Sequence, residues 1–247
     1  MIEPSKGPQM RNYIRTIAVL IIFAVTPGLR SQSPEPVKPQ PSAPSTDLSG
    51  VWTLKEFSMT FNLKETPPMQ DWAKEKFNAL IKHPKIEVDP TVTQCFPPGM
   101  PRIMLTPEPF EIFHLPNRVM MFFEYDHFVR QIYTDGRDHA AGLEPTWTGD
   151  SIGKWDGDTL VVDTVNLNDK TWFDLLGTPH SDALHVIERI RRVDHDTLQI
   201  NFTFEDPKAF TKTWTSQKVF RLRTGWDIME RVCQDNFLNT PKSDGGK

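Results

Sequence analysis

The sequence predicts an all-β fold with a minor helical part, in which an antiparallel meander closes as a barrel or as a strongly curled sheet. Short runs of β-branched and aromatic residues follow one another from residue 103 onward, and such runs are typical of strands. Tight-turn sequences separate these runs, and Asp156-Gly157-Asp158 is the strongest hairpin signal among them. Sequential short strands joined by tight turns close most economically as a barrel.

The first strand is expected to open at residues 48–52 and to continue irregularly to about residue 63. One helix is predicted near the front, over residues 69–82, because apolar residues recur there at helical spacing and Pro84 follows. The Pro/Gly-rich residues 89–102 predict a stiff loop. The later strands are expected at residues 110–113, 119–125, 127–133, 151–155, 159–165, 185–193, 197–204, 214–222 and 226–233.

The amino-terminal part predicts export. Residues 1–32 have the basic region, short apolar run and helix-breaking end of a signal peptide, and the polar residues before Met10 favour Met10 as the start of translation. The apolar run is shorter than the roughly 20 residues that a membrane span needs, although an uncleaved anchor is the alternative. Residues 33–46 are a Pro-rich linker. A single domain is expected over 47–238, with a disordered tail at 239–247 and a periplasmic or secreted location.

The charge of the chain restricts the kinds of molecule that it is expected to bind. The net charge of −4 and the lack of a Lys/Arg block argue against nucleic acid. Contact with a membrane is expected only through a retained signal, and the oligomeric state is undetermined.

In an exported protein Cys95 and Cys233 are able to pair; two separate buried thiols are the alternative. No nucleophile elbow, phosphate loop or dinucleotide fingerprint occurs, so the cofactor is unknown.

Four motifs carry a resemblance to a known family: PPGMPR (97–102), IYTDGR (132–137), SIGKWDGDTLVVDT (151–164) and PHSDALHVIERIRR (179–192). Through them the chain resembles a family of uncharacterised exported bacterial proteins, from about residue 48 to 236. The resemblance implies export and one domain, and it implies no activity, cofactor or catalytic residue. Separately, Gly50-Val51-Trp52 resembles the first strand of lipocalin-like barrels, where the Trp plugs one end.

The strand that begins at His185 offers the catalytic candidates, namely His185, Glu188 and Arg189. Alternate residues of a strand face the same way, so Glu188 shares a face with Val186, and His185 shares the other face with Arg189. If the first face is inward, desolvation raises the pKa of the Glu188 carboxyl and suits it to acid–base work. If the second face is inward, His185 and Arg189 line the lumen. Cross-strand ion pairing of Glu188 with Arg is the structural alternative.

Six further residues are candidates for ligand binding. Trp172 lies in a polar loop and offers a stacking surface, and His180 lies in the Pro-His-Ser loop nearby. Four others are expected to gather at one strand end: His127, Arg130, Arg137 and His139. No metal site is predicted, because His180 and His185 do not have a recognised ligand spacing.

The leading functional hypothesis is an exported domain that binds a small, partly apolar molecule in the mouth or lumen of the barrel. The alternative is an enzyme in the same pocket, with Glu188 or His185 as acid or base and Arg189 or Arg137 holding an anionic group. A structural or interaction domain is the third hypothesis.

Overall fold

The structure, a computed structural model, describes residues 46–61 and 65–233. All of these belong to one structural unit of the chain. The predicted signal peptide, almost all of the linker and the predicted tail lie outside the described residues.

The helices that lie wholly within the described residues are short and precede the second strand. The first helix, α1, spans Asp71–Leu80 within the range that the sequence predicts. Two one-turn helices follow, α2 at Lys85–Val88 and α3 at Pro90–Thr93, and a 3₁₀ turn covers Arg102–Leu105. The sequence predicted a loop instead of α3. The helix forms there because the side chain of Asp89 caps the Thr91 N–H, and Pro90 starts the turn with its fixed φ.

The described residues also form nine strands. They are β1 Gly50–Leu54, β2 Phe110–Leu115, β3 Arg118–Phe123, β4 Val129–Tyr133, β5 Asp150–Asp156, β6 Thr159–Val165, β7 His185–Asp194, β8 Thr197–Glu205 and β9 Trp214–Leu222. Neighbouring strands of the sheet are also consecutive in the sequence. The sheet closes as a barrel because β9 pairs with β1. The predicted all-β barrel is therefore confirmed.

One joint of the barrel is parallel. A meander with an odd number of strands cannot close with every neighbouring pair antiparallel, so one pair has to run in the same direction. That pair is β4 and β5, joined only at Ile132–Ser151 and Tyr133–Ile152. The long connection over residues 134–149 brings the chain back alongside the second half of β4, and it places His139 beside Asp150 and Asp163 on the outer wall.

The barrel interior is filled by side chains. Along β8 and β6 every second residue is buried, as expected for a wall with one face on a core. Trp52 is fully buried and its indole N–H donates to the Leu48 carbonyl over 3.0 Å. Gly50 has a φ of +134°, and a Cβ there would lie 2.5 Å from a Leu222 methyl, so only glycine fits.

Cys95 and Cys233 form a disulfide with a Cα–Cα distance of 5.6 Å, which confirms their predicted pairing. The bridge connects the segment before β2 with the segment after β9, and it is compatible with an oxidising compartment.

No helix in the described part of the chain is long and apolar enough to cross a membrane.

The predicted strand at residues 226–233 is wrong. The free edge of β9 pairs with β1 and closes the barrel. Residues 226–233 therefore have no strand edge with which to pair. It makes one isolated bridge instead, between Arg231 and Tyr125. The first strand also ends at Leu54 and not near residue 63.

Candidate functional site

Strand β7 turns Glu188 into the barrel and His185 out of it. Val186, Glu188 and Ile190 are buried, whereas His185 is half-buried and Arg189 is exposed. The apolar neighbours Val186 and Ile190 decide this orientation, because turning the strand over would expose both of them. The structure therefore separates the two predicted acid–base residues onto opposite faces of one wall.

Inside the barrel, Glu188 forms an ion pair with Arg130, and we call these two residues the inner pair. Arg130 reaches across β5 and β6, and one guanidinium nitrogen donates to Glu188 Oε1 over 3.0 Å while a second contacts Oε2. It also donates to the Thr164 hydroxyl over 2.9 Å and to the Ser151 hydroxyl over 3.2 Å. Both members of the pair have an exposed fraction of 0%. The inner pair is a closed, charge-balanced network.

Outside the barrel, imidazoles and carboxylates alternate across four strands. His139 Nδ1 lies 3.0 Å from Asp150 Oδ2, and His139 Nε2 lies 3.2 Å from Asp163 Oδ1. His185 Nε2 lies 2.8 Å from the same Asp163 oxygen. His185 Nδ1 lies 3.2 Å from Glu205 Oε2. We call these five residues the outer row.

Strand alternation and one loop assemble the outer row. Asp150, Asp163 and Glu205 are outward-facing residues of β5, β6 and β8. His139 comes from the connection before β5, and the backbone N–H of Ala140 fixes this segment by donating to Asp150 over 3.0 Å. Asp150 follows Gly149, which approaches the Val165 carbonyl so closely that a Cβ would lie 2.4 Å from it.

The outer row is accessible and rich in negative charge. The exposed fraction is 28% for the His185 side chain and 44% for Asp163. Three carboxylates face two imidazoles, so the row carries excess negative charge whenever the imidazoles are neutral. The nearby outward cation Arg189 donates to Asp156 and is therefore engaged elsewhere.

In the part of the chain that the structure describes, no group of three or more His, Cys, Asp or Glu side chains surrounds a position for a metal ion as the side chains stand.

A cleft of about 390 Å³ adjoins the outer row at Glu205. The connection from β8 to β9 forms most of its wall, and Gln70 closes it from the amino-terminal side of α1. Pro207 supplies exposed apolar surface, Phe210 lies beneath the cleft in the core, and Lys212 supplies a cation. Its volume lies within the range of about 300–1,000 Å³ that is typical of small-molecule sites.

The predicted binding residues do not share one site. His127 and Arg137 lie beyond opposite ends of β4, so the expected cluster at one strand end does not form. His127 contacts the Met229 carbonyl over 3.2 Å. Arg137 donates to Asp135 and stacks over the ring of Tyr133 at 3.8 Å. Of the four residues grouped by the sequence, His139 belongs to the outer row and Arg130 to the inner pair.

Trp172 and His180 are buried. The guanidinium of Arg102 lies over the Trp172 ring at 5.3 Å, so a protein cation already occupies that stacking surface. His180 is 4% exposed, and its Nδ1 lies 3.2 Å from the Ser181 carbonyl. Its Nε2 has no hydrogen-bond partner among the described residues. Burial lowers the pKa of His180 below its ordinary value, because desolvation disfavours the charged imidazolium.

Sequence reasoning missed the carboxylates Asp150, Asp163 and Glu205. Each is an outward residue of a predicted strand or its end, and alternation alone could have placed them on the same face as His185. The missing information was strand pairing, which sets these residues side by side.

Comparison of the chain with protein-family models, with curated proteins and with solved structures found no match.

Proposed function

We propose that the protein is an exported barrel domain that binds a small, partly apolar amine on the outer wall, at Glu205 and the adjoining cleft. One observation carries the proposal: Glu205 belongs both to the negatively charged outer row and to the lining of the cleft. The lumen suits a ligand less well, because the inner pair and core side chains fill it at the level of Glu188.

The lining defines the chemistry of the ligand. An ammonium group would pair with the Glu205 carboxylate, and an apolar body would rest on the exposed ring of Pro207. Charge-assisted hydrogen bonds from an ammonium to a carboxylate are among the stronger polar contacts. Export to the periplasm or outside the cell is supported by the basic and apolar amino-terminal sequence and by the disulfide.

Titration with benzylamine, followed by NMR and calorimetry, tests the proposal, with benzyl alcohol as the neutral control of similar shape. We expect saturable benzylamine binding, with little or none for the alcohol. Glu205→Gln should weaken it at least about tenfold, since loss of a charged hydrogen bond is worth about 1.5–3 kcal/mol. Thr213→Trp should block the cleft, because Thr213 lines it beside Glu205. Equal binding of both probes, or an unchanged affinity in Glu205→Gln, would overturn the proposal.

An enzyme is the second candidate, favoured by the placement of His185 between two carboxylates on an accessible surface. Such an imidazole is oriented for proton transfer. The buried Glu188 is enclosed by Arg130, so Asp163 or Glu205 would take the carboxylate role that the sequence assigned to Glu188. Hydrolysis of p-nitrophenyl acetate above the buffer rate, abolished in His185→Gln, would favour this candidate. A rate equal to buffer would count against it.

A further inference from the structure

We propose that the outer face of β2, β3 and β4 is the interface of a two-fold symmetric dimer of this chain. We call this surface the β2–β4 face. The end that carries Arg118 in one copy meets the end that carries Glu111 in the other. This inference goes beyond amine binding, because the β2–β4 face lies on other strands than Glu205 and its cleft.

Strand pairing collects apolar side chains on the β2–β4 face. The register sets Phe113 beside Met120, and Phe122 beside Val129. These four side chains point outward, because each lies next to a buried residue in its strand. Phe113 and Val129 each have an exposed fraction of 40%, and Leu115 continues the exposed apolar surface along β2. Contiguous exposed apolar side chains of this kind typically mark an interaction surface.

The outer face of β8 shows what the same barrel places on a wall that faces water. Its outward residues are all polar: Thr197, Gln199, Asn201, Thr203 and Glu205. Antiparallel strands with one face on a core normally alternate apolar residues inside with polar residues outside, and β8 follows that rule. β2, β3 and β4 depart from it. The departure indicates that another apolar surface covers the β2–β4 face in the assembled protein.

The two ends of the β2–β4 face carry opposite charges. Arg118 lies at the start of β3, and Glu111 pairs opposite the other end of that strand. The Arg118 guanidinium donates to the neutral amide oxygen of Gln131 over 2.8 Å. Burial raises the pKa of Glu111 above its ordinary value, and the charge of the nearby Asp227 raises it further. A guanidinium brought to the Glu111 end would relieve this repulsion.

A second copy of the chain matches this arrangement of charge. In a two-fold interface every contact occurs twice, so half a turn sets the acidic end of each copy against the cationic end of the other. The apolar centres of the two faces then cover one another, and the unlike charges fix the register. A membrane fits less well, because its anionic surface attracts cations and would repel Glu111 and Asp227.

Sedimentation equilibrium of the full chain at several concentrations tests the proposal. We expect a dimer whose population rises with concentration. Met120→Glu puts an unpaired charge at the centre of the face, and it should weaken self-association at least about 100-fold, since burying an unpaired charge costs several kcal/mol. Val161→Glu is the matched control, because Val161 is a half-buried outward residue of β6. Its association should equal that of the wild type.

Exchange of the end charges tests the two-fold arrangement. Arg118→Glu and Glu111→Arg should each weaken the dimer, because each sets like charges against one another. The double variant should restore it with the signs exchanged. Within one chain the two positions lie about 13 Å apart along the strands, at about 3.3 Å per residue. Restoration therefore reports a contact between copies.

Four results would overturn the proposal: a monomer at every concentration, an unchanged dimer in Met120→Glu, a double variant as weak as the single ones, or a monomer that binds neutral phosphatidylcholine vesicles. The last result would assign the β2–β4 face to a lipid surface. Circular dichroism confirms that each variant is folded. Benzylamine binding in Met120→Glu should equal that of the wild type, so the amine site and the dimer are tested independently.

Discussion

The inner pair and the outer row lie on opposite faces of the same strands and differ in charge balance and exposure. Ser151 and Thr164 support the inner pair, while their sequence neighbours Asp150 and Asp163 belong to the outer row. Inside, one guanidinium meets one carboxylate with no solvent access. Outside, three carboxylates meet two imidazoles in partial contact with water. The closed network suits a structural role, and the open, unbalanced one suits ligand binding.

The largest expected effect comes from breaking the inner pair. Glu188→Gln leaves the buried Arg130 without a counter-charge, and removing one partner of a buried pair typically costs about 3–5 kcal/mol. We expect the free energy of unfolding in urea to fall by that amount. Glu205→Gln is the same chemical change on the outer face, and it should cost less than about 1 kcal/mol, because exposed pairs are screened by water. Equal losses in the two variants would contradict the comparison.

Replacing both members of the inner pair sharpens the same point. Arg130→Met with Glu188→Leu removes both charges and fills the space with apolar groups, and such replacements are often neutral or stabilising by about 1–4 kcal/mol. We expect the double variant to regain most of the stability that Glu188→Gln loses. The urea midpoint of the double variant measures this. A double variant as unstable as the single one would mean that the pair also determines the packing of the lumen.

The buried His180 should make stability depend on pH. Its pKa is lowered by burial from 6.5, so the unfolded chain takes up a proton at a higher pH than the folded chain does. The stabilisation that comes from keeping His180 neutral is fully present at a pH above its ordinary pKa of 6.5. It is lost as the pH falls through and below that value. We expect His180→Gln to show a smaller loss of unfolding free energy between about pH 7.5 and pH 5.5. The exposed His195→Gln should keep the wild-type dependence, and an unchanged slope in His180→Gln would refute the assignment.

The smallest expected effect is on the stability of the outer row. Asp163→Asn should change the free energy of unfolding by less than about 1 kcal/mol, because half-exposed pairs contribute little. Urea unfolding of wild type and Asp163→Asn measures this difference. A large loss in Asp163→Asn would assign the row a structural role.

Local pattern predicted most of the fold. The hairpin around Asp156-Gly157-Asp158 and the range of β9 follow from turn chemistry and alternation, and the structure has both. The strand predicted at 226–233 does not form, although the composition of this segment is typical of a strand. The closed barrel leaves no strand edge with which it could pair, because β9 pairs with β1. The pairing of Cys95 and Cys233 was foreseen as possible in an exported chain, and the closed barrel brings the two segments together.

By itself the sequence determined that β7 carries Glu188 on one face and His185 on the other, because the period of a strand is two. The tertiary structure decided which face is inward, since burying Val186 and Ile190 outweighs burying the other face, and Arg130 neutralises the carboxylate that this choice encloses. It also decided that His139 and His185, distant in the chain, share one oxygen of Asp163. Strand order and the parallel joint between β4 and β5 set that contact, and no local pattern encodes it.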